Sequence, residues 1–93
     1  MSILARFTAA PSMTSAMYDE SLPAIEASGE WPPGGLAFHV AFVADGSFRV
    51  SEVWDSQEQF EAFGARLMPI LHDAGIELTG PPEIIEVHNT ISR

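Results

Sequence analysis

The chain has 93 residues, of which thirteen are acidic and four basic, giving a formal charge of -9. The basic residues are all arginines, Arg6, Arg49, Arg66 and Arg93, and so sparse a positive charge excludes nucleic acid, whose binding rests on clustered cations meeting phosphate. With no cysteine, disulfides and thiolate metal sites are excluded as well, and no apolar run approaches the ~20 residues needed to span a bilayer.

A chain of this length suits one domain, residues 1–93, near the size at which core burial is only just sufficient without oligomerisation. The start MSILARFTAAPSM lacks a basic n-region followed by a long apolar segment. A cytoplasmic protein is expected.

Ser2 to Thr8 alternates, with Ile3, Ala5 and Phe7 on one side, and reads as a short strand. Thr14 suits a helix N-cap, and Met13 and Tyr18 fall at the two positions of a hydrophobic staple. The helix should bury Met17, Leu22 and Ile25, kink or restart at Pro23, and end near Gly29. Gly29 to Gly35, GEWPPGG, is a connection in which Trp31 should lie on its prolines.

Leu36 to Val43 and Ser47 to Trp54 form a hairpin around Asp45-Gly46, a dipeptide that favours a two-residue turn. That turn fixes the pairing: Val43 faces Phe48, Ala41 faces Val50, and His39 faces Glu52. Asp55 to Gln59 holds two overlapping capping boxes, and Phe60, Phe63, Leu67, Ile70 and Leu71 continue at helical spacing until Gly75, with a bend expected at Pro69. Glu83 to Ile91 alternates as a last strand.

The order is β-α-β-β-α-β, which right-handed crossovers turn into a four-stranded antiparallel sheet with both helices on one face, the ferredoxin-like α+β arrangement. One face of the hairpin carries Phe38, Val40, Phe42 and Val53 and suits a position under the helices. The other carries Ala37, His39, Ala41, Val43, Phe48, Val50, Glu52 and Trp54, too apolar to be left in water. We therefore expect a symmetric homodimer formed through that second face. Arg6 and His88 should look into the same interior by alternation, with Trp54 at its rim, and an apolar cavity with a few convergent polar groups is the usual form of a small-ligand site.

The element order, the strand end V-W-D-S at Val53 to Ser56, Phe60 four residues later and Pro69 in the second helix together resemble the dimeric α+β barrel proteins of the antibiotic-biosynthesis-monooxygenase type. The likeness spans nearly the whole chain. It implies a homodimer, a pocket enclosed by the sheet, and activities that range from cofactor-free oxygenation of polycyclic aromatics to haem degradation. The haem-degrading members use an asparagine on the first strand, where this chain has Arg6 and Thr8.

Two readings follow. In the first, His39 held by Glu52 is a general base in a cofactor-free, monooxygenase-like enzyme, and Trp54, Arg6 and His88 border a small aromatic substrate. The bland counterpart is a cross-strand pair that satisfies two polar groups. In the second, the protein is a non-catalytic dimeric module that binds a small apolar ligand or serves a stress-associated role. No His-x-x-x-His spacing or other ligand set indicates a metal, so no metal and no cofactor is expected.

Overall fold

The computed structural model describes all residues, Met1–Arg93. The elements are β1 (Ile3–Thr8), α1 (Ser15–Ala27), β2 (Leu36–Ala44), β3 (Ser47–Trp54), α2 (Gln57–Asp73) and β4 (Glu83–Glu86). The strands make one four-stranded sheet in the order β2-β3-β1-β4, with every neighbouring pair antiparallel. Each helix connects two strands that flank a third, so α1 and α2 come to lie together on one face. This is the ferredoxin-like α+β arrangement.

The local signals explain the boundaries. Thr14 Oγ1 accepts the Met17 N–H at 3.2 Å and starts α1. Of the two candidate caps, Ser56 is the one used: its hydroxyl oxygen accepts the Gln59 N–H at 3.2 Å, and in place of the reciprocal backbone bond of a capping box its O–H donates to Gln59 Oε1 at 2.9 Å. Gly75, at φ +73, lies past the end of α2, where a left-handed backbone closes the last turn. Asp45 and Gly46 both have positive φ, 52 and 75, as a primed two-residue turn requires.

Pro23 and Pro69 lie inside unbroken helices, so of the kink or restart expected in α1 the restart does not occur. Both prolines, and the residues Asp19 and Ala65 whose carbonyls they leave without a helical donor, are on exposed faces. Water can serve those carbonyls, which lowers the cost of the missing bond. The last strand is shorter than its alternation suggests, ending at Glu86.

One expectation is reversed. The β1–β3 register sets Ile3 against Trp54 and Ala5 against Glu52, and Ile3, Ala5 and Trp54 belong to one core cluster with Ile25, Phe60 and Phe63 from the helices. Trp54, Glu52, Val50 and Phe48 therefore face the helices, and His39 with them. Phe38, Val40, Phe42 and Val53, expected under the helices, occupy the uncovered face. A register shift between Leu36 and Phe38 leaves Ala37 as an extra residue, and this bulge turns Leu36 back toward the core. Both faces of the hairpin are apolar, so alternation alone could not say which one the helices cover.

The core is aromatic. Trp54 meets Phe60 edge-on at 5.8 Å and Phe63 at 5.6 Å between ring centroids, and Phe7 lies 5.8 Å from Phe60. Such pairs add about 0.5–1.5 kcal/mol each beyond the area they bury. Trp31 packs on Phe63 at 6.4 Å.

Candidate functional site

Between the helices and the sheet is a cavity of about 650 Å³, within the range that holds small organic ligands. Phe7, Phe48 and Val50 form its floor, α1 contributes Tyr18, Ser21 and Ile25, and α2 contributes Phe60, Phe63, Leu67 and Leu71, with Ile76 and Pro82 from the segment that follows. Gly64 of α2 also borders it, and a Cβ there would meet nothing within 4 Å. That missing side chain widens the space.

The polar groups of the cavity form a chain that starts in the core. Trp54, completely buried, donates its indole N–H to Glu52 Oε1 at 3.1 Å. Glu52 Oε2 lies 2.6 Å from His39 Nδ1, and His39 Nε2 lies 2.7 Å from the Tyr18 hydroxyl. Only 6% of Glu52 is exposed, so an isolated carboxylate there would be costly. Two donors directed at its two oxygens offset that cost.

The partners assign the protons. A carboxylate only accepts, so Nδ1 of a neutral His39 carries the hydrogen, Nε2 is the acceptor, and the Tyr18 O–H donates to it. The Tyr18 ring is nearly parallel to the imidazole, 17° apart at 6.0 Å, and lies 5.3 Å from Phe48. Burial raises the Tyr18 pKa above the ordinary tyrosine value, and the negative charges of Glu52 and Asp19 raise it further. The phenol therefore keeps its proton throughout the neutral range.

Of the residues singled out in the sequence, the fold brings together His39, Glu52 and Trp54. Trp54 stands in a different place from the expected rim: fully buried, it holds Glu52 from below and offers no face to a ligand. Arg6 lies on the opposite face of the sheet, 3.3 Å from Glu83, and His88 is exposed beyond the end of β4. Neither borders the cavity.

Tyr18 was missed. Read as half of a staple, it also stands at i, i+3, i+7 spacing with Ser21 and Ile25, both buried, and a phenol on the buried stripe of a helix calls for a polar partner across the core. No arginine lines the cavity, and its acidic and basic side chains are His39, Glu52, His72 and Glu77. A permanent anion would find no guanidinium or ammonium group there.

No family model and no curated protein sequence matches this chain. Solved structures do. A candidate antibiotic biosynthesis monooxygenase from Chloroflexus aurantiacus is 18% identical, with 96% of this chain and 94% of that one aligned at a TM-score of 0.57. SnoaB, a cofactor-independent oxygenase from Streptomyces nogalater, is 16% identical over 99% and 96% at a TM-score of 0.60. MupZ from Pseudomonas fluorescens is 11% identical over 99% and 93% at a TM-score of 0.63. At these identities the likeness is one of fold, shared along essentially the whole chain.

Proposed function

We propose that this chain, which folds as the antibiotic-biosynthesis-monooxygenase-like proteins do, is a cofactor-free oxygenase acting on a flat, uncharged aromatic molecule bound between helices and sheet. The observation that carries this reading is the Glu52–His39–Tyr18 chain, which runs from the buried Glu52 to the half-buried His39 and Tyr18 at the wall of an apolar cavity. A base set by a carboxylate, at the wall of an apolar pocket, is what the removal of a weakly acidic substrate proton needs.

The chemistry is balanced with dioxygen as the only oxidant. With anthrone as the probe, loss of a ring-methylene proton to His39 gives an electron-rich enolate, which adds dioxygen at that carbon. Return of the proton and loss of water from the resulting peroxide leave anthraquinone. One anthrone and one dioxygen give one anthraquinone and one water. The low identity to SnoaB makes its cofactor-independent oxygenation a precedent in fold only.

Oxygen uptake with anthrone should exceed the buffer rate and fall about 10²–10⁴-fold in His39→Ala, the range that a positioned general base contributes. Saturable quenching of tryptophan fluorescence by anthrone with background oxygen uptake would instead identify a binding module.

A homodimer belongs to the same proposal, but not through the His39 and Trp54 face expected from the sequence, which the helices cover; its interface is the uncovered sheet face. Phe38 is 59% exposed there, and Val40, Phe42 and Ile85 are each 38% exposed, a contiguous apolar surface of the kind that marks an interface. Phe38→Glu should convert a dimer into a monomer in native mass spectrometry while leaving the circular dichroism unchanged. A wild-type monomer at micromolar concentration would defeat this part of the proposal.

A further inference from the structure

We infer that Tyr18, rather than His39, is the group that touches the substrate, accepting the substrate's proton on its hydroxyl oxygen while passing its own proton to His39. The inference rests on the proton-abstraction reading above and deepens it.

Both imidazole nitrogens are occupied. Nδ1 is held by Glu52 at 2.6 Å and Nε2 by Tyr18 at 2.7 Å, so a substrate reaches no free lone pair on His39 without displacing the phenol. Tyr18 has an oxygen lone pair to spare: one hydrogen is committed to Nε2, and the other lone pairs have no partner among the protein's hydrogen bonds. Its ring borders the cavity and is fixed between His39 and Phe48, which holds the hydroxyl in place.

In the step, the bond from substrate carbon to hydrogen breaks and a new O–H bond forms at Tyr18. The original Tyr18 O–H bond breaks and an N–H bond forms at His39 Nε2. The products are a substrate anion, a neutral tyrosine and an imidazolium held against the Glu52 carboxylate; nothing is oxidised or reduced. The environment suits a concerted transfer, because burial and the nearby carboxylates oppose a free tyrosinate. The imidazolium created in the step also supplies the positive charge next to the substrate anion that the cavity otherwise lacks.

The test is anaerobic exchange of the anthrone methylene hydrogens with deuterium from solvent, followed by mass spectrometry in the wild type, Tyr18→Phe and His39→Ala. Without dioxygen, proton removal is read apart from oxygenation. Tyr18→Phe should bind anthrone within about threefold of the wild type by tryptophan quenching, yet lose exchange by roughly 10²-fold or more. A difluorotyrosine placed at position 18 keeps the shape and lowers the phenol pKa, and it should change the exchange rate.

Exchange in Tyr18→Phe within threefold of the wild type, with His39→Ala inactive, would show that His39 meets the substrate itself; the inference falls and the oxygenase reading stands. Bound anthrone with no exchange above buffer in the wild type would overturn both. Should Tyr18→Phe fail to bind, the difluorotyrosine protein decides: an unchanged rate counts against the relay.

Discussion

Glu52→Gln is expected to abolish most of the proton-abstraction activity while leaving the protein folded. The two carboxylate oxygens now accept from Trp54 Nε1 at 3.1 Å and from His39 Nδ1 at 2.6 Å. An amide has one acceptor and one donor end. If its oxygen keeps the Trp54 N–H, its NH₂ faces Nδ1, and the imidazole must shift its hydrogen to Nε2. His39 would then donate to Tyr18, and the relay would have no acceptor. The opposite orientation sets the NH₂ against the Trp54 N–H, two donors in a buried space.

Either arrangement removes the negative charge that stabilises an imidazolium. Turnover should fall about 10²–10⁴-fold, the magnitude of a lost general base. Stability should change by no more than about 1–3 kcal/mol, the cost of one mismatched buried hydrogen bond. Nitrogen chemical shifts of His39 report the tautomer directly. A variant that retains turnover within threefold, with the hydrogen still on Nδ1, would remove the pair from the mechanism.

Trp54→Ala should have the largest effect on folding. Trp54 is the only fully buried large side chain, and it stands against both Phe60 and Phe63. Emptying such a site costs about 3–5 kcal/mol, against a total stability of about 5–15 kcal/mol for a domain of ordinary stability. The melting temperature of a chain this size moves by roughly 4–8 °C per kcal/mol, so a fall of about 12–40 °C is expected in a thermal scan.

Trp54→Phe separates the two duties of the residue. It fills most of the volume and removes the N–H, so a Glu52 oxygen loses its donor. Most of the melting temperature should return, while proton abstraction stays impaired because Glu52 is then held by His39 alone. If Trp54→Phe were as active as the wild type, the indole would be a packing residue alone.

Much of this was legible along the chain. Thr14 and Ser56 cap their helices by bonds between near neighbours, and Asp45-Gly46 sets its turn by its own backbone preference. The His39–Glu52 pairing follows by counting outward from that turn. Each depends on residues a few positions apart, so a reading of the sequence suffices. Proline is an instructive exception: Pro23 and Pro69 carry a strong local signal, yet their tolerance depends on which side of the helix faces water.

The sequence by itself determined the element order, the turn that sets Glu52 opposite His39, and the abundance of apolar residues on both faces of the hairpin. Only the tertiary structure decided which face the helices cover, because an alternation with apolar residues on both sides is symmetric until β1 pairs with β3 and brings Ile3 and Ala5 against Trp54 and Glu52. That choice buries Trp54 under Glu52 and sends Arg6 to the far side of the sheet. It also brings Tyr18, 21 positions before His39, to the imidazole. The Tyr18 contact spans two packed layers, and the distance across them is set by the side chains between, which no local pattern records.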